Sequence, residues 1–151
     1  MKHLRVASLI VLSATFISFW ASSQALADKV TVVLVEHNSN WTTTDTGAPG
    51  DSVGDVMTFA NTIFDAKNEK QVGTNNGVCI RTVVAEAYEC NWTTFLADGQ
   101  ISVAGPFYDA KDATLAVTGG TGAYEGMHGQ LKVHARDAKA TEIDFRFELS
   151  K

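Results

Sequence analysis

A carboxylate and a carboxamide near the start of the chain are spaced so that they could share one sheltered site. Glu36 and Asn38 lie two residues apart in the β-branched run VTVVLVEHN. Side chains two residues apart in a strand point to the same face, which here also carries Leu34. If that face is buried, Glu36 is a desolvated carboxylate with a raised pKa, a group typical of acid–base sites. If Val33 and Val35 face inward instead, Glu36 lies on the surface, and the pattern alone does not choose.

Two later apolar runs add further candidates. Asn61 shares a face with Phe59, and it is either a site residue or a rim amide that bonds to a loop. Cys79 and Arg81 share a face in the following run. Arg81 is either a surface charge or an inward partner for Glu36, because an unpaired buried guanidinium is very costly.

The elements that must position these side chains are strands. Short apolar and β-branched runs alternate with turn residues, and no run has a convincing helical period. Residues 41–53 form a polar stretch that we predict to be a loop. About eight short strands predict an antiparallel sandwich or a closed barrel. The predicted strands cover residues 30–38, 54–64, 77–84, 89–96, 100–107, 114–118, 130–135 and 142–149.

The last strand has the clearest pattern. Four apolar residues alternate with four charged ones, which places the two sets on opposite faces. One wet face and one apolar face indicate an antiparallel sheet. We therefore predict that Phe145 and Phe147 point inward and that Asp144 and Arg146 point outward. The apolar set is Ile143, Phe145, Phe147 and Leu149, and the charged set is Glu142, Asp144, Arg146 and Glu148.

The N-terminal segment is typical of a secretory signal peptide. A short basic start with Lys2 and Arg5 precedes an uncharged apolar run, and Ala25-Leu26-Ala27 has the pattern of a cleavage site. We therefore predict a signal peptide over residues 1–27, a single domain over 28–151, and export to the periplasm or the medium. The alternative is an uncleaved membrane anchor. After cleavage we expect no membrane insertion.

The charge balance argues against two classes of partner. The chain has 12 Lys and Arg against 17 Asp and Glu, and two of the basic residues lie in the predicted signal peptide. Such an acidic domain lacks the basic surface that nucleic-acid binding needs, and anionic lipid would repel it.

Neither a phosphate site nor a metal site is indicated. The glycine-rich residues 118–126 lack the Lys-Ser/Thr of a phosphate loop, so we predict a tight left-handed connection there. The three histidines of the predicted mature chain have no metal-ligand spacing. We therefore expect no metal and no cofactor.

Two cysteines flank a predicted hairpin turn. Cys79 and Cys90 lie eleven positions apart in strand-like sequence. Paired directly across the hairpin, they would be close enough for a disulfide, which persists in an oxidising compartment. We expect a bridge, with free buried thiols as the alternative.

Several longer motifs resemble the plant allene oxide cyclase family. The similarity reaches the Glu36 and Asn61 segments and covers nearly all of the predicted mature chain. Dirigent proteins share the Gly-Gly-Thr-Gly signature and the barrel but match less well elsewhere. The motifs are GQISVAGPF at 99–107, LAVTGGTGAYEG at 115–126, GQLK at 129–132, GDV at 54–56, FAN at 59–61, GVC at 77–79 and VEHN at 35–38.

The resemblance implies an eight-stranded antiparallel barrel with an apolar cavity for a hydrophobic small molecule. In that family a glutamate stabilises charge that develops on the substrate, and Glu36 matches it. Two asparagines hold a water on the epoxide oxygen, matched by Asn38 and Asn61, and a cavity cysteine is matched by Cys79. Glu36, Asn38 and Asn61 are thus the predicted catalytic residues. The predicted substrate-binding residues are Leu34, Phe59, Cys79 and Arg81.

Three functions are compatible with these features. The first is a cyclase or isomerase that acts on an unsaturated, fatty-acid epoxide-like substrate, in which the barrel enforces one folded geometry. The second is a dirigent-like guide without catalytic groups of its own, and the third is a lipid or metabolite carrier. The family also implies a homotrimer.

Overall fold

Nine antiparallel strands make up the described part of the chain, residues 29–151 of a computed structural model. The predicted signal peptide and its cleavage site lie outside these residues. None of the described residues forms a helix, and accordingly none forms one long and apolar enough to cross a membrane. The strands are β1 (Lys29–His37), β2 (Trp41–Thr44), β3 (Val56–Asp65), β4 (Gln71–Val83), β5 (Ala87–Leu96), β6 (Gly99–Tyr108), β7 (Ala113–Gly122), β8 (His128–Ala135) and β9 (Glu142–Ser150).

The sheet closes into an eight-stranded barrel because β1 pairs on both of its edges. Its order is β1-β9-β8-β7-β6-β5-β4-β3-β2, with an additional pairing between β1 and β3. Leu34–His37 of β1 pair with the end of β3, whereas β2 pairs with the start of β3. The short β2 thus extends the wall beyond the end of β1 as a ninth strand. The predicted antiparallel barrel is confirmed, but the prediction that residues 41–53 are entirely loop was wrong at Trp41–Thr44.

The predicted orientation of the last strand is confirmed. Phe145 and Phe147 are buried, while Arg146 is exposed and Asp144 is half-buried. Their rings pack edge to face at 6.3 Å between centroids inside the barrel. Each buried phenylalanine stabilises the fold by roughly 1.5–3 kcal/mol, so the opposite register would lose several kcal/mol of stability.

The glycine-rich segment divides between a strand and a turn. Gly119 and Gly120 continue β7, where we had predicted a connection, and the turn begins only after Gly122. Gly122 has φ of 61°, and a Cβ there would lie 2.3 Å from the carbonyl oxygen of Asp98. The left-handed connection predicted here is therefore confirmed, but only for the end of the segment.

Candidate functional site

An aromatic cavity occupies one end of the barrel. Its volume is about 300 Å³, at the small end of the range for small-molecule sites, which is about 300–1,000 Å³. Six aromatic side chains contribute to its lining, together with Cys79, Met57 and Ile143. The aromatic residues are Trp41, Phe59, Tyr88, Trp92, Phe107 and Phe145.

Flat rings form the wall of the cavity. Trp92 stacks on Phe145 with 5.7 Å between ring centroids and 17° between planes, and Phe59 meets Trp92 edge-on at 6.0 Å. Gly77 lies between these rings, and a Cβ there would come within 2.6 Å of both Phe59 and Trp92. The missing side chain of Gly77 is what lets the rings meet, so the wall is shaped for a flat, apolar ligand.

Glu36 is the carboxylate inside this aromatic wall. Its side chain points inward from β1 and is 4% exposed. Oε1 accepts hydrogen bonds from Nδ2 of Asn75 at 2.8 Å and from Nδ2 of Asn61 at 3.1 Å. No described residue donates to Oε2. Since Glu36 lines the cavity, Oε2 is the oxygen that remains available to a ligand.

Burial raises the pKa of Glu36, because desolvation disfavours the charged form. The two amide hydrogen bonds act in the opposite direction but do not offset it. The raised pKa means that the protonated form of Glu36 is favoured more than that of a surface glutamate, and such a shift is typical of acid–base groups.

The unfavourable burial of Glu36 predicts a pH-dependent effect on stability. A raised pKa in the folded state means that stability present at low pH is lost as the pH rises through that pKa. Glu36→Gln removes the charge, so we expect the variant to exceed the wild type in free energy of unfolding by a margin that grows from acid to neutral pH. Urea unfolding across this range measures the margin. Exposed Glu89→Gln is the control, and an equal, pH-independent margin for both variants would contradict the expectation.

The predicted catalytic residues do converge. Nδ2 of Asn61 donates to Oδ1 of Asn38 at 3.0 Å as well as to Glu36. Oδ1 of Asn61 accepts the backbone N–H groups of Ser39 and Asn40, so all four hydrogen-bonding positions of this amide are occupied. Nδ2 of Asn38 donates to the carbonyl of Ala140. All hydrogen-bonding positions of Asn61 are therefore used by protein partners, whereas the amide of Asn38 has fewer partners and can bind a further group. The water-holding role stays a prediction for both residues.

The four predicted substrate-binding residues occupy different places. Phe59 and Cys79 line the cavity, whereas Leu34 is buried in the hydrophobic core. Arg81 is also buried, but its partners are Asp51, at 2.7 Å, and Asp109, at 2.8 Å. Their roles in substrate binding stay predictions.

Neither alternative for Arg81 holds as stated, because Arg81 is buried but does not pair with Glu36. Glu36 bonds to Asn75, and Arg81 lies six residues farther along the same strand, about 20 Å at a rise of about 3.3 Å per residue. A period of two tells which residues share a face but not how far apart their partners lie. Arg81 instead ties the loop at Asp51 to the loop at Asp109, and its guanidinium stacks 3.7 Å from the ring centroid of Tyr88.

Two polar residues of the site escaped the sequence reasoning. Asn75 and Thr94 are both 0% exposed, and Oγ1 of Thr94 donates to Oδ1 of Asn75 at 3.1 Å. A signal was present, because Asn75 shares a face with Cys79 and Arg81 at a spacing of two. The predicted strand began only at Gly77, whereas β4 begins at Gln71, so Asn75 lay outside the predicted strand.

The expected disulfide is confirmed. Cys79 and Cys90 are direct partners in the β4–β5 ladder and are bonded to each other. We expect replacement of both by serine to lower the free energy of unfolding by about 2–4 kcal/mol, since the bridge restricts the unfolded chain. Denaturant unfolding measures the loss. Thiol titration of the denatured, unreduced wild type should find no free sulfhydryl, and two would contradict the bridge.

No group of three or more His, Cys, Asp or Glu side chains among residues 29–151 is arranged to hold a metal ion. His37 faces the outside of the barrel, where its ring stacks on Phe64 and Nε2 bonds to Oδ1 of Asn68 at 2.6 Å.

Comparison with known proteins identifies the family. Among solved structures, the chain is similar to a pyocyanin demethylase, with 31% identity and a TM-score of 0.68 over 80% of this chain and 99% of that one. The exo-specific intermolecular Diels-Alderase AbnU matches at 17% identity and a TM-score of 0.66, over 82% of this chain and 99% of that one. A pterocarpan synthase dirigent protein matches at 14% identity and a TM-score of 0.64, over 82% of this chain and 94% of that one. The last two likenesses show the fold alone. The allene oxide cyclase family model matches residues 30–139, and the chain therefore belongs to the allene oxide cyclase family.

Proposed function

We propose that this protein is a cyclase or isomerase that acts on a compact, unsaturated, hydrophobic molecule. The observation that carries the proposal is the buried Glu36 carboxyl group, with Oε1 bonded to two amides and Oε2 available inside an aromatic cavity. A site that only carried a lipid would need no such group, because desolvating a carboxylate is costly. Functional sites commonly retain such unfavourable groups.

The walls and the carboxyl group have complementary roles. The aromatic surfaces hold a conjugated ligand in one folded geometry, which lowers the entropic barrier to an intramolecular reaction. Positive charge that develops in the transition state is stabilised by the Glu36 carboxylate and by the ring faces. The cavity volume favours a compact ligand over a complete long-chain fatty acid epoxide held inside the barrel.

Demethylation is a second candidate reaction. It is favoured by the 31% identity with a pyocyanin demethylase, of which the match covers 99%. In a balanced step the bond from nitrogen to the methyl carbon breaks and the oxygen of a water bonds to that carbon, which leaves as methanol, or as formaldehyde if the conjugated ring of the substrate keeps the two electrons. The same Glu36 carboxyl group would take or give the proton. We also propose, for either reaction, that the protein is exported and that it forms a homotrimer. The pattern of residues 1–27 supports export, and the family supports the homotrimer.

The test combines ligand identification with product analysis. Native mass spectrometry of the purified protein should reveal a co-purifying compact molecule, and that molecule, pyocyanin and short unsaturated epoxides are then incubated with the protein. A product with the same elemental composition as its substrate supports a cyclase or isomerase. A product that lacks one methyl group supports the second candidate. Binding without conversion of any compound would contradict both and favour a carrier or a dirigent-like guide.

A further inference from the structure

Three buried polar residues lie beside Glu36 at a level of the barrel where inward-facing side chains are usually apolar. Asn61, Asn75 and Thr94 occupy the same register level on β3, β4 and β5. All three point inward and are buried. Polar groups are costly at such positions unless they are hydrogen-bonded, so their partners indicate what they are for.

The hydrogen bonds run in one direction, toward Glu36. Oγ1 of Thr94 donates to Oδ1 of Asn75 at 3.1 Å, and Nδ2 of Asn75 donates to Oε1 of Glu36 at 2.8 Å. The hydroxyl group of Thr94 thereby determines which end of the Asn75 amide is the acceptor. If the amide were reversed, its oxygen would face the carboxylate oxygen of Glu36, an unfavourable contact of two acceptors.

We propose that Asn75 and Thr94 are positioning residues that hold Glu36 with Oε1 fixed and Oε2 directed into the cavity. The inference rests on the proposed function, in which Glu36 is the reactive group. Thr94 acts only through Asn75, and Asn75 only through Glu36. Asn75 and Asn61 donate the hydrogen bonds that the carboxylate accepts, and none of the described Lys, Arg or His side chains forms an ion pair with it.

None of the other titratable groups around the cavity is among the causes of the raised pKa of Glu36, which are burial and, in the opposite direction, the hydrogen bonds from Asn75 and Asn61. Tyr88, Asp109 and Lys139 also line the cavity, and all three are more exposed than the buried residues beside Glu36. Those buried residues are Asn61, Asn75 and Thr94. Arg81 is bound by Asp51 and Asp109. On the strands that flank β1, the acidic residues Asp65, Glu142 and Asp144 are only partly buried, and His37 of β1 stacks on the outer face. The hydrogen bonds from Asn61 and Asn75 are therefore the direct polar contacts that orient the Glu36 carboxylate.

The experiment is an NMR titration of the Glu36 side-chain carboxyl carbon in the ligand-free protein, assigned by its disappearance in Glu36→Gln. Thr94→Val keeps the shape of the side chain and removes the hydroxyl group. We expect it to raise the Glu36 midpoint by about half a pH unit to one unit, because Asn75 is no longer held as a donor. Asn75→Ala removes the donor itself and should raise the midpoint by about one to two units.

Thr94→Ser is the matched control, because it keeps the hydroxyl group and should leave the midpoint near that of the wild type. An unchanged midpoint in both Thr94→Val and Asn75→Ala would overturn the proposal. An equal rise in Thr94→Ser and Thr94→Val would also overturn it, since the hydroxyl group would then not be the cause. The titration needs no substrate, so failure to find turnover leaves its result intact, and the two proposals fail separately.

Discussion

Replacing Glu36 with glutamine is expected to lower turnover by about 10²–10³-fold while the barrel stays folded and the cavity still binds ligand. Glutamine has nearly the same shape and can still accept the amide hydrogen bonds, but it has neither a negative charge nor a carboxyl group that can act as an acid or a base. If the carboxylate stabilises charge in the transition state more than in the bound substrate, the loss falls on kcat and leaves KM nearly unchanged. Steady-state kinetics with a substrate that the wild type converts measures both constants.

Glu89→Gln is the matched control for this result. Glu89 lies on β5, a strand that also contributes to the cavity, but its side chain is exposed on the outer face. We expect its kinetics to match those of the wild type. Equal turnover in Glu36→Gln and the wild type would refute a role for Glu36 in the reaction and leave orientation of the substrate by the barrel walls, as in a dirigent-like guide, as its cause.

Replacing Phe147 with alanine is expected to lower the free energy of unfolding by about 3–5 kcal/mol. Phe147 is 0% exposed and lies between Val32 of β1 and Leu131 of β8 in the ladder. Its ring also packs edge to face on Phe145, so truncation leaves a cavity at the centre of the core. A loss of this size is a large part of the total stability of an ordinary domain of about 5–15 kcal/mol.

Chemical denaturation followed by tryptophan fluorescence measures this loss. Arg146→Ala is the control, because Arg146 is the neighbouring residue on the exposed face and should change stability by only about 0.5 kcal/mol. Comparable losses for the two variants would contradict the orientation of β9 and, with it, the placement of Phe145 in the cavity wall.

Local patterns predicted the features that depend on one strand or one hairpin. The alternation from Glu142 to Leu149 gave the correct inward face, because a strand with one apolar face has only one register that buries it. The spacing of Cys79 and Cys90 around one turn predicted the disulfide for a similar reason, since a hairpin fixes which residues face each other. The family resemblance added the closed barrel and chose the inward face for Glu36.

Features that depend on closure of the barrel were decided only by the tertiary structure. β1 pairs with one part of β3 and β2 with another, and this pairing makes Trp41–Thr44 a strand. Trp and Thr favour strands, but four residues in a polar stretch without alternation did not predict one.

A period of two likewise does not predict how deep inside the barrel a residue lies. Alternation tells which face a side chain takes, but strand pairing sets the level at which it meets its neighbours. The pattern left the faces of Glu36, Asn61 and Arg81 open, and its alternative that Arg81 pairs with Glu36 was wrong, whereas the structure buries all three residues. The pairing of β3, β4 and β5 brought Asn75 and Thr94 to the carboxylate and left Arg81 with Asp51 and Asp109.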